Sequence, residues 1–246
     1  MPGVEHGFDQ VIVLGVGVDS LTRAQLLSHV GKLVQDGHAH TIAYANVHVL
    51  NQAATHPGLR TFLNEADICY CDGNGVVVGA RILGGNLPER MTGADWIWDF
   101  AALAEGRWRV FWLGGAEGVA HAAAAKLRER HPNLVIEAEH GYHADNATLI
   151  ATINTFRPHV LLVGMGTPTQ EQWVARWREA LDVPVVWVLG ATHDFVAGKV
   201  PRGPDWLHRD HEWLARLLTD PRRLWKRYLV GNALFAARIV RQRLSA

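Results

Sequence analysis

An α/β fold is predicted, with a Rossmann-like parallel sheet carrying helices on both faces and a basic helical C-terminal appendage. Three aliphatic, β-branched runs carry that expectation. They are Val11-Ile-Val-Leu-Gly-Val-Gly, Arg109-Val-Phe-Trp-Leu-Gly-Gly and His159-Val-Leu-Leu-Val-Gly-Met-Gly, and each is followed by a helix-like stretch. Strands that are apolar along their whole length are buried on both faces, as in a parallel sheet between helix layers. The appendage is predicted by a change of character after Gly198, where the pattern becomes helical and the charge turns positive.

The elements follow in chain order. The first run leads into a helical pattern over Leu21–Gln35, with Asp19 or Ser20 as N-cap. Thr41-Ile-Ala-Tyr-Ala reads as a short strand before a helix over Val47–Ala54, and Ala66–Cys71 as another ending at Asp72-Gly73. Arg109 opens a strand that feeds the Ala-rich helix Val119–Arg130. His159 opens one that feeds Glu171–Leu181. Val183-Pro-Val-Val-Trp-Val-Leu-Gly is a further strand, running into the loop Gly190–Gly198. Beyond it, Glu212–Leu218, Pro221–Val230 and Ala233–Leu244 read as helices, and Pro201, Gly203 and Pro204 mark a joint. The expected division is a Rossmann-like core, residues 1–198, and an appendage, residues 199–246.

Charge separates the two parts. From Lys199 to Ala246 there are eleven Lys/Arg and four acids, about +7, while the whole chain is neutral, so the core carries about −7. In the appendage the basic residues are interleaved with Trp206, Trp213, Trp225, Tyr228 and Phe235. A basic, aromatic-aliphatic segment suits an anionic, greasy partner such as a membrane surface or a lipid-linked phosphate. Nucleic acid matches the charge but not the apolar face, and zero net charge argues against a general nucleic-acid binder. Cys69 and Cys71 are the only cysteines, too few for a disulfide framework or a zinc site, and fit a reducing cytoplasm. Residues 1–10 do not read as a signal peptide and no apolar run reaches 18 residues, so membrane contact is expected to be peripheral.

Ligands of open parallel sheets bind outside the carboxyl ends of the strands. Here the strand-end loops begin at Gly15, Asn46, Asp72, Gly114, Gly164 and Gly190. Gly15-Val-Gly17 lacks the rest of a dinucleotide-binding fingerprint and reads rather as a tight strand-to-helix turn. Gly114-Gly115-Ala-Glu-Gly118 opens a helix, where free amides meet a phosphate. In Gly164-Met-Gly166-Thr-Pro168-Thr-Gln170-Glu171, Gln170 and Glu171 sit in a first helical turn, suited to a polar ligand or to the helix dipole. Asp72, between Cys71 and Gly73, is a lone carboxylate without a His or Cys partner, which suits one general base deprotonating a hydroxyl. Asn46 ends a neighbouring strand. His193 beside Asp194 is the one histidine singled out. No DxD-like pair accompanies Asp72, and no HxxxH or CxxC is present, so neither a metal nor another cofactor is expected.

Taken together, the ordered set Asn46, Asp72-Gly-Asn-Gly-Val-Val, Glu89-Arg90-Met-Thr92-Gly93-Ala-Asp95, Gly114-Gly115, Gly164 to Glu171, Asp194-Phe-Val-Ala197-Gly198, Pro201 to Trp206, Glu212 to Leu217 and Pro221 to Tyr228 resembles the WecG/TagA/CpsF family of bacterial glycosyltransferases. The resemblance spans roughly residues 10–235. It implies a UDP-sugar donor, a polyprenyl-diphosphate-linked saccharide acceptor and inverting, metal-independent transfer of N-acetylmannosamine or a related hexose or uronic acid. The setting it implies is cell-surface polysaccharide or teichoic acid synthesis, with the enzyme cytoplasmic and peripheral on the inner face of the cell membrane. By motif position Asp72 is the candidate base, with Asn46, Arg90 and Gln170 in the same pocket. Gly114, Gly115, Thr92, Gly166, Pro168, Glu171 and Asp194 are substrate-binding candidates. Arg202, Arg216, Arg222, Arg223 and Arg227 are candidates to meet diphosphate charge. Tyr44 departs from the family's small hydroxylated residue, and His193 from its usual apolar one. A homo-oligomer is compatible with this reading. The rival is a non-catalytic nucleotide- or nucleic-acid-binding regulator on a Rossmann-like scaffold. An NAD-dependent oxidoreductase is disfavoured by the missing GxGxxG.

Overall fold

The computed structural model describes residues 7–199 and 225–245. Its centre is a six-stranded, all-parallel sheet of β3 (His40–Ala45), β4 (Ile68–Cys71), β5 (Arg109–Gly114), β6 (Val135–Glu139), β7 (Val160–Gly164) and β8 (Val185–Val188). The strand order is β4-β3-β8-β7-β5-β6. β4, β7 and β8 are buried at every position, as their unbroken apolar sequences require. β6 alternates exposed and buried residues, and its Glu137 and Glu139 leave it without an apolar run.

The first apolar run is not a sheet strand. It folds back on itself as an antiparallel hairpin of β1 (Gln10–Val13) and β2 (Val16–Asp19). Leu14 and Gly15 at its tip have φ of 52° and 80°, the pair of positive values a two-residue primed turn demands. Gly15 therefore turns a hairpin and does not open a ligand loop. The expected cap also shifts. Asp19 is buried, with Oδ2 accepting from the Cys69 amide at 2.6 Å and Oδ1 from Gln10 Nε2 at 3.0 Å. It ties the hairpin to β4. Thr22 caps α1 (Arg23–Leu33) instead, in a reciprocal capping box with Gln25.

The remaining helices are α2 (Val47–Ala53), α3 (Pro57–Glu65), α4 (Asn74–Ile82), α5 (Gly93–Ala104), α6 (Val119–Arg130), α7 (Asn146–Phe156), α8 (Thr169–Trp177) and α9 (Thr192–Val196). A π turn at Lys226–Val230 then leads into α10 (Gly231–Ser245). Between helix and sheet, Trp96 of α5 stacks on Trp187 of β8 at 3.9 Å and 11°, with Tyr70 and Phe100 edge-on. α10 lies on the core. Phe235 and Ile239 belong to the buried cluster, and Arg238 Nη1 donates to Asn51 O at 2.8 Å. Gln242 brackets the hairpin, accepting from the Leu14 amide and donating to Ile12 O.

Candidate functional site

Asp72 follows β4, and its amide donates to Ala45 O of β3 at 2.9 Å, so the neighbouring strand fixes its backbone. Gly73, the next residue, has φ 128°, and a Cβ there would meet nothing within 4 Å. The chain leaves the strand in a conformation side chains rarely adopt, on the open side of the sheet. Asn46 ends β3 and caps α2, with Oδ1 accepting from the Val49 amide at 3.0 Å. That contact fixes the amide's orientation, and Nδ2 donates to Asp72 Oδ2 at 3.1 Å.

Met91 N donates to Cys71 O at 2.8 Å, which brings the segment before α5 against the same strand end. Thr92 Oγ1 donates to Asp95 Oδ2 at 2.6 Å, and Arg90 Nη2 stands 3.9 Å from the same oxygen. Asp95 thus positions both Thr92 and Arg90. The Cys71 thiol registers the local field. Burial pushes it up, the Asp72 charge adds to that, and the Arg90 charge opposes it. Both Cys69 and Cys71 are free and buried.

Two cavities meet at this point. The larger, about 380 Å³, lies between α4 and α10 and is lined by Arg90, Val78, Ile82, Phe235 and Ile239 among others. The smaller, about 150 Å³, runs under the ends of β7 and β8 and is lined by Tyr44, Gly166, Thr167, Gly190, Thr192 and Phe195 among others. Asn46, His48, Asp72 and Thr92 line both. The carboxylate therefore stands on a wall shared by an apolar chamber and a polar one.

Gln170 and Glu171 sit behind that wall rather than on it. Gln170 is fully buried; its Oε1 accepts from the Gly190 amide at 3.1 Å and its Nε2 donates to Glu171 Oε1 at 2.8 Å. Glu171 Oε1 also accepts from Thr167 Oγ1 at 2.8 Å. Burial pushes the Glu171 carboxyl up, and the Gln170 and Thr167 hydrogen bonds only partly offset this. The pair holds the β7 and β8 loops together. Pro168 precedes α8 and lines neither cavity, whereas Gly166 lines the polar one.

Gly114 and Gly115 end β5, outside the lining of both cavities. A Cβ at Gly114 would come within 2.3 Å of Gly164 O, so close strand packing already requires glycine there. The connection from β5 leads outward to β6 and that from β7 inward to β8, so Gly114 and Gly164 flank the point where strand order reverses. His193 is buried against Gly115 and Gly164; burial lowers its affinity for a proton, and nearby Asp194, 3.5 Å away, works the other way. Arg202, Arg216, Arg222 and Arg223 lie outside the described residues. Arg227 lies in the Lys226–Val230 turn, with its side chain likewise outside the description.

Tyr44, His48, Thr167 and Asp95 also shape the site but were not among the expected site residues. Tyr44, immediately before the end of β3, carried a positional signal. Thr167 and Asp95 lay within motifs already marked out. Folding also gathers Glu139, His140 and His143 at the end of β6, with potential ligand atoms within 4.8 Å of one another. All three fall within five consecutive residues, so the sequence already places them together, and none of the three lines either cavity.

A parallel α/β sheet with a carboxylate at a strand end, on a wall shared by two chambers, suits a group-transfer site. The model of the Glycosyl transferase WecG/TagA/CpsF family matches residues 11–246, and the chain belongs to that family. It is a glycosyltransferase. Similar proteins include those called N-acetylglucosaminyldiphosphoundecaprenol N-acetyl-beta-D-mannosaminyltransferase in Staphylococcus aureus strains NCTC 8325 / PS 47 and COL. Each is 30% identical over 223 residues, covering 89% of this chain and 86% of the relative.

Proposed function

We propose that this enzyme moves N-acetylmannosamine, or a related hexose or uronic acid, from a UDP-sugar to a polyprenyl-diphosphate-linked saccharide. The transfer is inverting and metal-independent, and serves cell-surface polysaccharide or teichoic acid synthesis. The observation that carries this reading is Asp72 on the wall between the two cavities, with Asn46 holding one of its oxygens. The acceptor hydroxyl oxygen bonds to the anomeric carbon as the bond from that carbon to the donor phosphate breaks. Asp72 takes the hydroxyl proton, and UDP leaves with the bonding electron pair. One displacement at one carbon inverts it. The leaving diphosphate gains charge that the N-terminus of α6 beyond Gly114-Gly115 and the appendage arginines are suited to meet. Asn46 and Thr92 contact substrate, while Gln170 and Glu171 act as positioning residues through the Gly190 and Thr167 loops. Asp194 is assigned to the donor side, beside His193, which packs on Gly115.

Residues 1–198 form the catalytic core in this reading, and residues 199–246 the appendage that seats it on the anionic cytoplasmic face of the membrane. Among the described residues no helix is long and apolar enough to cross a membrane. The test is UDP release from a panel of UDP-sugars, with and without polyprenyl-diphosphate-linked N-acetylglucosamine, in excess EDTA. Acceptor-dependent release that survives chelation is expected. Activity lost to EDTA and restored by Mg²⁺ or Mn²⁺ contradicts the metal-free mechanism and directs attention to Glu139, His140 and His143.

A further inference from the structure

The larger cavity starts at a carboxylate and yet is walled mostly by hydrocarbon. α4 and α10 approach closely enough for this that a Cβ on Gly79 would come within 3.0 Å of the Phe235 ring. Phe235 and Ile239 form the buried side of the groove. Val78 and Ile82 form its lip, 53% and 46% exposed. The turn and helix that supply Tyr228 and Phe235 to the cavity also expose Leu229, Val230 and Leu234. Large apolar side chains held in water beside a polar site mark a binding surface. The charge of a diphosphate has no use for such a wall.

We propose that the groove between α4 and α10 binds the first isoprene units of the acceptor's polyprenyl chain. The proposal rests on the acceptor class given above and adds where its lipid lies. The set of groups fits. A lipid-linked saccharide joins sugar, diphosphate and hydrocarbon, and one cavity is lined by Asp72, by Arg90 and by Val78, Ile82, Phe235 and Ile239. The polar chamber on the other side of Asp72 is left for the donor. A cavity of about 380 Å³ lies within the range of small-ligand sites. It holds the head of the lipid, while the remainder stays in the bilayer. The occupant is therefore recognised by its hydrocarbon as well as its charge, and a water-soluble saccharide diphosphate is a poor acceptor.

Farnesyl diphosphate and inorganic diphosphate, titrated calorimetrically into the full-length chain, separate the two contributions. Farnesyl diphosphate is expected to bind more tightly. Val78→Ser and Ile82→Ser should each weaken it on the order of tenfold, the scale of one or two methylenes in an apolar pocket, and leave inorganic diphosphate unchanged. Both positions are about half exposed, so folding is not at risk. Val135→Ser, an exposed change on the far edge strand β6, should alter neither titration. Equal affinity for the two probes overturns the proposal, as does farnesyl binding indifferent to the groove variants. A second readout is the ratio of kcat/KM for a polyprenyl against a short-alkyl diphosphate saccharide, which should fall in both groove variants. Groove-dependent farnesyl binding without sugar transfer would refute the proposed activity and leave the groove standing. Transfer without groove dependence would do the reverse.

Discussion

Asn46 uses both ends of one amide: Oδ1 caps α2 and Nδ2 holds the Asp72 carboxylate. Substitution separates these roles. Asn46→Ser keeps a capping oxygen and should melt close to wild type. It loses the bond to Asp72, worth about 1.5–3 kcal/mol for a charged partner, so transfer should fall roughly ten- to a hundredfold. Asn46→Ala should lose as much activity and also about 1 kcal/mol of stability, a Tm drop of roughly 2–4 °C. Calorimetry and initial rates on both variants decide this, and full activity in the serine variant would remove the amide from the site. Asp72 and Asn46 were legible in the sequence because a strand followed by a polar residue marks a carboxyl end. Gln170 was legible as a first-turn residue of its helix but not as buried. Its partners, Gly190 and Tyr44, come from other strands, and no local pattern encodes them.

At the scale of elements, the start of β3 is clamped by an ionisable trio. His40 Nδ1 lies 2.8 Å from Asp67 Oδ1, and Nε2 lies 2.8 Å from Asp36 Oδ2. Burial alone would lower the histidine's proton affinity, but the Asp67 and Asp36 contacts outweigh it and the net shift is upward. A raised folded pKa means stability fully present below the unfolded value of about 6.5 and lost as pH rises through the folded one. The His40 contribution to the urea midpoint should therefore fall between pH 6 and pH 8, so the midpoint lost in His40→Gln should be larger at pH 6 than at pH 8. An unchanged pH slope in the variant would show that the clamp contributes nothing. The parallel strands were legible because burial on both faces leaves an unbroken apolar run. The β1–β2 hairpin was not, since its Leu14-Gly15 turn has the same sequence signature as a strand ending in glycine. α10 was legible in extent, and its seat on α2 and α4 was not. Helical pattern gives length, while partner faces are set by the whole fold.

For the whole molecule, the charge division and the packing of α10 act together. Deleting the chain from Pro201 removes the basic segment but also strips Phe235 and Ile239 from the core, so a truncation confuses membrane binding with stability. Arg222→Gln, Arg223→Gln and Arg227→Gln combined are cleaner. At about 1 kcal/mol per basic residue near an anionic surface, their loss should weaken vesicle binding roughly a hundredfold with little change in Tm. Wild-type protein should float with anionic vesicles at low salt and release at high salt, as screened charges do. Flotation indifferent to salt and to the triple change would refute a charge-seated appendage. The central claim is that Asp72 is the base in sugar transfer to a lipid-linked diphosphate saccharide. The most direct measurement is the rate of acceptor-dependent UDP release by wild type and by Asp72→Asn, each shown to be folded by its melting curve. The account predicts a loss of at least about a hundredfold, the lower end of general-base effects, with UDP-sugar binding retained. A folded Asp72→Asn enzyme turning over at near the wild-type rate would contradict it.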